Sequence, residues 1–203
     1  MCGLFAALSR SGSIREDYTR QLDMIAHRGP DGSGTAIVHL ANGVPEADRE
    51  GRAWLGHRRL SIIDPDPRAN QPMAVADDRY VMVYNGEIYN YLELRRECVA
   101  AGWSFRTESD SEVLLACWAL WGEDAVRRFV GMFAFVIVDR EAGQAWIGRD
   151  AFGIKPLHYV LTDDRLLICS ELPPLVSTGR VPLDIDPLQT VEFIRFGAST
   201  TTE

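Results

Sequence analysis

Cys2 is the residue of this sequence best placed to act as a nucleophile. Once the initiator Met1 is removed, as a small second residue permits, Cys2 carries both a thiol and a free α-amino group. A nucleophile needs a neighbouring group that accepts its proton, and an N-terminal amine with a pKa of about 7.7 to 8 can do so. The alternative interpretation is that Cys2 is a small buried hydrophobe in the first strand.

A junction around Asn85 and Gly86 could supply the hydrogen-bond donors that acyl transfer requires. In the segment Tyr84–Tyr91 the pattern predicts that a strand ends at Asn-Gly and that a helix begins within a few residues. A side-chain amide and a free backbone N–H could then point to one place and stabilise the oxyanion of a tetrahedral intermediate. An ordinary Asn-Gly turn would explain the same residues without any chemistry.

Two further segments carry charges that could meet a substrate. Because side chains alternate along a strand, Arg58 and Arg59 should point to opposite faces, and one of them can turn inward as a planar cation that suits a carboxylate. A structural salt bridge is the alternative for that residue. The acidic run Glu108–Glu112 suits a helix N-terminus, and it also offers Asp110 as a partner for an ammonium group.

Length and composition describe one soluble globular domain. The chain has 203 residues, of which 46% are hydrophobic and 25% are charged, which excludes a disordered or fibrous chain. Its formal net charge is -8 and no run of Lys or Arg is longer than a pair, so we expect no nucleic-acid partner. The longest strongly apolar stretch, Val130–Val138, is far shorter than the ~20 residues of a membrane-spanning helix.

Cysteine and histidine usage argues against a metal centre and a secreted protein. The four cysteines are scattered and form neither a metal-binding pair nor a dense disulfide framework. The four histidines lack the spacing of metal ligands, so no metal is expected. No basic residue precedes the short apolar start of the chain, unlike a signal peptide. We therefore expect a cytoplasmic protein that needs no membrane.

The pattern along the chain predicts short strands on both sides of a helical pair. Strands are predicted over Gly3–Leu8, Thr35–Leu40, Arg52–His57, Leu60–Ile63, Arg79–Tyr84, Met132–Val138, Ala145–Gly148, Leu157–Leu161 and Leu166–Cys169. Helices are predicted from a capping box at Ser13 and Glu16 up to the breaker at His27, over Tyr89–Ala101, from a second capping box at Ser109 and Glu112 to Gly122, and over Leu188–Phe196. This order indicates an α+β fold with two antiparallel sheets and helices outside them.

Taken together, these segments resemble the class II glutamine amidotransferase domain of glutamine-hydrolysing asparagine synthetases. The similarity runs from residue 2 to about residue 197. It is carried by Met1-Cys2-Gly3, His27-Arg28-Gly29-Pro30-Asp31, His57-Arg58-Arg59-Leu60-Ser61-Ile62-Ile63-Asp64, Tyr84-Asn85-Gly86-Glu87-Ile88-Tyr89-Asn90, Ser109-Asp110-Ser111-Glu112, Gly148-Arg149-Asp150 and Gly153-Ile154-Lys155-Pro156-Leu157.

The resemblance implies a fold, a reaction and a role for each site residue. The fold would be the four-layer α/β/β/α sandwich of the N-terminal-nucleophile hydrolases, and the reaction the hydrolysis of L-glutamine to L-glutamate and ammonia. Cys2 would attack the side-chain amide, Asn85 and Gly86 would form the oxyanion hole, Arg59 would bind the α-carboxylate, Asp110 would bind the α-ammonium, and Ile62, Ile63 and Glu87 would complete the pocket. The segment His27–Asp31 would be a loop near the site, and Gly148–Leu157 would be structural support.

The resemblance also divides the chain and implies a partner. Residues 2–185 would be the glutaminase domain, and residues 186–203 would begin a linker toward an ATP-binding synthetase domain. That domain carries a Ser-Gly-Gly-x-Asp-Ser loop that this sequence lacks, so ATP and Mg would belong to the partner and no cofactor is expected here. Truncation, excision and a free-standing subunit all stay open, as do the amidated acceptor and the oligomeric state, a homodimer included. A non-catalytic or partner-dependent regulatory module with the same fold is the alternative function.

Overall fold

Two antiparallel β-sheets form the centre of the protein. The computed structural model describes residues 1–10, 13–39, 51–181 and 183–197. The strands of one sheet are β1 (Gly3–Ser9), β2 (Gly32–His39), β3 (Gly51–Arg59), β8 (His158–Leu161) and β9 (Arg165–Cys169), and those of the other are β4 (Met73–Val75), β5 (Tyr80–Ile88), β6 (Gly131–Asp139) and β7 (Gln144–Arg149). Within the described residues the strand orders are β2-β3-β1-β9-β8 and β4-β5-β6-β7.

Helices cover the outer faces of both sheets. The short helices α1 (Thr19–Asp23) and α4 (Leu172–Val176) pack on the five-stranded sheet, and α2 (Tyr91–Ala100) and α3 (Asp110–Trp121) pack on the four-stranded sheet. Between the sheets lies a core that both contribute to, with Leu4, Ala6, Leu55, Val83 and Val136 fully buried. The α+β fold with its four α/β/β/α layers is therefore confirmed.

Strand β1 is an interior strand that fixes the position of the chain start. It pairs with β3 on one side, where Gly3 lies opposite Arg58, and with β9 on the other, where Phe5 lies opposite Cys169. Residues 3–7 are buried, as predicted for a strand covered on both faces. Cys2 directly precedes this strand. The backbone hydrogen bonds of β1 with its two neighbouring strands therefore fix the position of Cys2 at the end of the strand.

One predicted strand is wrong, and the first predicted helix begins later than expected. Leu60–Ile63 is a loop rather than a strand, because Ser61 N–H donates to Asp31 Oδ2 at 2.9 Å and draws the chain away from the end of β3. The first helix begins only at Thr19, where Asp17 rather than Ser13 accepts the backbone N–H at 3.0 Å. Glu16 instead forms ion pairs with two arginines, Arg165 and Arg180.

The other predicted elements agree with the structure to within a few residues, and two short ones were missed. Strand β4 has only three residues, and α4 forms across Pro173 and Pro174 in a region for which the sequence predicted no helix. The last helix, α5 (Pro187–Phe196), is confirmed, and Asp186 caps it by accepting the N–H of Leu188 at 2.8 Å. The end of the predicted strand at Leu40 lies outside the described residues. Among the helices described, none is long and apolar enough to cross a membrane.

Candidate active site

A pocket of about 220 Å³ opens at the ends of β1, β3 and β5. Its walls contain every site residue predicted from the sequence: Cys2, Arg59, Ile62, Ile63, Asn85, Gly86, Glu87 and Asp110. Met1 also lines the pocket, with its side chain mostly exposed. Residues that are far apart in the sequence therefore surround a single thiol.

Short contacts hold Cys2 in place. Its Sγ accepts the backbone N–H of Leu60 at 3.4 Å, and its carbonyl oxygen accepts Nε–H of Arg28 at 2.9 Å. The guanidinium of Arg28 also binds Glu171, so the loop expected near the site does lie beside it. Burial raises the pKa of the Cys2 thiol above its usual value. A group that accepts the thiol proton is therefore needed before Cys2 can act as a nucleophile.

Asn85 and Gly86 lie inside a strand, which corrects the prediction that the strand ends there. Strand β5 runs on to Ile88, and Asn85 and Gly86 lie opposite Ala134 and Phe133 of β6. The ordinary Asn-Gly turn is therefore wrong as an explanation. A β-carbon on Gly86 would come within 2.5 Å of the Met132 carbonyl oxygen, so only glycine fits at this point of the sheet.

The side-chain amide of Asn85 is a buried donor without an acceptor. Asn85 is 1% exposed, and in the part of the chain that the structure describes its Nδ2 has no hydrogen-bond partner. Leaving a buried donor unpaired costs about 1–3 kcal/mol. Because this amide belongs to the pocket wall, an acceptor on a bound ligand would remove that cost.

Arg59 is a buried cation whose protein partners are all neutral. It is 6% exposed, and its guanidinium donates to Asn70 Oδ1 at 2.8 Å, to Asp66 O at 3.0 Å and to the carbonyl oxygen of Asp64. Among the described residues no carboxylate forms an ion pair with it, so the salt-bridge alternative is not observed. Its neighbour Arg58 points to the other face and pairs with Asp23, as the strand alternation predicts.

Asp110 supplies the negative charge of the pocket at the first turn of α3. It is 6% exposed, and its Oδ2 accepts from the Tyr84 hydroxyl at 2.8 Å and from the backbone N–H of Ile88 at 3.0 Å. Burial raises the pKa of the Asp110 carboxyl. Ser109 caps the helix as predicted, by accepting the N–H of Ser111 at 3.1 Å.

Glu112 was expected to complete the capping box, but it binds further back in the chain. Its carboxylate accepts the N–H groups of Arg106 and Thr107 and the Thr107 hydroxyl. It therefore fixes the loop that precedes the helix instead of the helix terminus itself.

Several pocket residues were not predicted from the sequence. Gln71 is buried, and its Oε1 accepts the backbone N–H of Tyr84 in β5 at 2.6 Å. The Met132 and Lys155 side chains line the pocket as well. The segment that contains Lys155 was expected to be structural support, with which the hydrogen bonds of the Asp150 carboxylate agree, and Lys155 lines the pocket in addition. Lys155 is the only lysine among the 21 Lys and Arg residues, but this alone does not predict a place in the pocket.

Comparison with known proteins identifies the family to which this fold and pocket belong. The family model described as glutamine amidotransferase domain matches residues 1–203. The chain therefore belongs to the glutamine amidotransferase family.

Similar proteins include bacterial asparagine synthetases. Asparagine synthetase [glutamine-hydrolyzing] 1 of Bacillus subtilis is 36% identical over 208 residues, which cover 100% of this chain and 31% of that protein. Asparagine synthetase [glutamine-hydrolyzing] 3 of the same organism is 32% identical over 99% of this chain and 31% of its own length. The chain thus spans about a third of the length of these relatives.

A solved structure shows the same fold. The glutamine phosphoribosylpyrophosphate amidotransferase of Bacillus subtilis superimposes with a TM-score of 0.69 at 21% sequence identity, over 88% of this chain and 44% of that one.

Proposed function

We propose that this chain is the glutaminase half of an asparagine synthetase-type amidotransferase. It hydrolyses L-glutamine to L-glutamate and ammonia, and the ammonia serves the ATP-dependent amidation of aspartate to asparagine by a synthetase domain. The observation that carries the proposal is the set of unsatisfied groups around one thiol: the buried Asn85 amide without an acceptor and the buried Arg59 cation without a carboxylate.

The charges of the pocket suit a free amino acid. A zwitterion needs one cationic and one anionic partner, and Arg59 and Asp110 are the buried candidates. A bound α-ammonium would favour the ionised form of the Asp110 carboxyl, whose pKa burial has raised. Ile62, Ile63 and Glu87 complete the wall along which the substrate side chain would lie.

The first chemical step forms a thioester. With Met1 removed, the α-amine of Cys2 takes the thiol proton, and the thiolate attacks the side-chain carbonyl carbon of glutamine. The carbonyl π electrons move onto oxygen, where Asn85 Nδ2–H and the Gly86 backbone N–H would stabilise the negative charge. When the intermediate collapses, the carbon–nitrogen bond breaks and the α-ammonium returns its proton to the departing ammonia.

The second step hydrolyses the thioester. A water molecule gives a proton to the α-amine and attacks the same carbon, and the oxyanion forms again in the same place. Collapse breaks the carbon–sulfur bond, releases glutamate and restores the Cys2 thiol. Neither step requires a metal or an organic cofactor from this chain.

The acceptor side of the reaction is proposed from the relatives. Their names are those of asparagine synthetases, and this chain spans about a third of their length, which supports a separate domain that would bind ATP and Mg. The four cysteines are unpaired, which supports a reducing compartment such as the cytoplasm.

Intact mass and glutamate release test the proposal on the purified protein. We expect a mass that lacks Met1, release of glutamate from glutamine, and a single adduct on Cys2 after treatment with the glutamine-mimicking electrophile diazo-oxo-norleucine. Replacement of the nucleophile, Cys2→Ala, should abolish both turnover and adduct while the circular dichroism spectrum is unchanged. Wild-type turnover in that variant would exclude the mechanism. A folded, Met1-free protein that forms no adduct would favour the non-catalytic module.

A further inference from the structure

Lys155 places a second buried cation in the pocket, and the steps above do not use it. The residue is 5% exposed and is one of the residues that line the pocket. Over residues 1–10, 13–39, 51–181 and 183–197, no hydrogen bond or ion pair is made by its ammonium group. A buried charge without a partner is costly, so this position indicates an anionic ligand group.

The loop that carries Lys155 is rigidly held. The Asp150 carboxylate accepts backbone N–H groups from Phe133 at 3.2 Å, from Ile154 at 2.8 Å and from Lys155 at 3.0 Å. Arg149 Nε–H donates to the Lys155 carbonyl oxygen at 2.7 Å. The backbone of Lys155 is therefore held in one position by the fold.

The loop that carries Lys155 lies on one side of β5, and Arg59 and Asp110 lie on the other. Gly86 lies opposite Phe133 in the sheet, and the Phe133 carbonyl accepts the Asp150 N–H at 2.8 Å, so the Lys155 loop lies beyond β6. Helix α3, which carries Asp110, packs on β4 and β5. The guanidinium of Arg59 contacts the loop that leads to β4. Arg59 and Asp110 thus flank β5 on one side, and Lys155 flanks it on the other.

The charges of substrate and product differ in a way that matches this arrangement. Glutamine has one α-carboxylate and one α-ammonium, which Arg59 and Asp110 neutralise, and its side-chain amide is neutral. Negative charge appears at the reacting end only in the tetrahedral intermediates and in the γ-carboxylate of glutamate. A cation on that side favours these charged states over the neutral amide.

We infer that the ammonium of Lys155 recognises the reacting end of the substrate, where it binds the oxygen that becomes negatively charged and then the γ-carboxylate of the product. The inference rests on the proposed function and adds to it a residue that binds glutamate in preference to glutamine. Lys155 also has a kinetic role here, because it binds the intermediates more strongly than the substrate.

Calorimetric titration of a Cys2→Ala protein, which cannot turn over, tests the inference directly. We compare glutamate and glutamine binding with and without Lys155→Met, which keeps the length of the side chain and removes its charge. We expect the dissociation constant of glutamate to rise at least about tenfold, since a charge-assisted hydrogen bond is lost, and that of glutamine to change less than about threefold. Lys155→Arg should restore most of the glutamate affinity.

Arg127→Met is the matched control, because it also removes one positive charge but on a side chain that is 87% exposed and distant from the pocket. It should change neither dissociation constant. In the active enzyme, Lys155→Met should lower kcat about tenfold and leave KM for glutamine within about threefold.

The outcomes separate this inference from the proposed function. If both amino acids bind and Lys155→Met weakens them equally or not at all, the role of Lys155 is wrong and the glutaminase proposal is unaffected. If neither amino acid binds to the Cys2→Ala protein that retains Lys155, the proposed function itself is overturned. Circular dichroism checks each variant, and Lys155→Gln replaces Lys155→Met if the latter does not fold.

Discussion

At the scale of single residues, the pocket is defined by groups that the protein leaves unsatisfied. The Asn85 amide has no acceptor among the described residues, and Arg59 has only neutral ones. Such groups reduce stability in the empty protein and gain their partners when a ligand binds. A substitution that removes such a group should therefore lower the activity but not the stability of the empty protein, and both quantities can be measured.

Asn85→Ala should separate catalysis from stability. We expect kcat for glutamate release to fall about 10²- to 10³-fold, because one oxyanion donor is lost. The thermal unfolding midpoint should not decrease, since the substitution removes a buried donor that has no partner. Differential scanning calorimetry beside steady-state kinetics checks both quantities. A large drop in the midpoint with unchanged kcat would mean that Asn85 is structural.

Arg59→Ala should raise KM for glutamine by about 100-fold or more, because a buried charge-assisted contact to the α-carboxylate is lost. Arg58→Ala is the control one residue away, since Arg58 faces Asp23 on the other side of the strand. That variant should have a KM within about twofold of the wild type, as expected for an exposed ion pair. Equal effects in the two variants would remove Arg59 from the substrate site.

The residue scale also shows what the sequence could predict. Cys2, Arg59, Asn85 and Asp110 were found because their types suit an acyl-transfer reaction and their order matches a known family. Lys155 was missed because its place in the pocket depends on the Asp150 carboxylate, which gathers backbone N–H groups from two separate segments. A tertiary contact of that kind has no local sequence pattern.

At the scale of elements, a buried histidine joins the two sheets beneath the pocket. His57 of β3 donates from Nε2 to the Tyr84 carbonyl oxygen of β5 at 2.9 Å. The residue is 1% exposed, and burial lowers the pKa of His57 to about 4. The neutral ring therefore keeps β3, which carries Arg59, aligned with β5, which carries Asn85 and Gly86.

This histidine should make stability depend on pH. The unfolded chain binds the His57 proton below about pH 6.5, and the folded protein binds it only below about pH 4. Stability is therefore complete above pH 6.5 and falls as the pH drops toward 4, by about 3 kcal/mol for this group. Urea unfolding across that range should show a steeper loss in the wild type than in His57→Gln, which keeps a donor but cannot be protonated. Parallel pH profiles would contradict the assignment.

Helices and strands were predicted well where a local sequence pattern determines them. They were predicted poorly where contacts with distant parts of the chain determine them. The strand predicted at Leu60–Ile63 has the right composition, yet Asp31 draws that segment into a loop. Strand β5 was expected to stop at Asn85, but the partner strand β6 is long enough to extend the pairing to Ile88. Both differences lie at the pocket, and in each of them a contact with a segment distant in the sequence sets the local structure.

At the scale of the whole molecule, the C-terminal helix stands apart from the core. No residue of α5 is buried, and its apolar side chains are mostly exposed: Leu188, Val191, Phe193, Ile194 and Phe196. A helix with so much exposed apolar surface usually meets another surface. The chain spans about a third of the length of the asparagine synthetases that it matches.

A chain that ends at residue 185 should behave like the longer one. Because no residue of α5 is buried, its removal should shift the thermal midpoint by no more than the roughly 2–4 °C that a 1 kcal/mol change produces in a domain of this size. Glutamate release should also be unchanged. A lower midpoint or reduced turnover would show that the glutaminase domain extends past the predicted boundary.

The position of Met1 in the pocket wall has a practical consequence for producing this protein. Met1 lies beside the thiol in the pocket wall, so under the proposed mechanism its removal by a host aminopeptidase is an activation step. An affinity tag encoded upstream would block that processing, cap the amine and leave a peptide across the pocket mouth. A preparation of this kind would be well folded and inert, so the choice of expression vector decides whether an assay measures an enzyme or its blocked precursor.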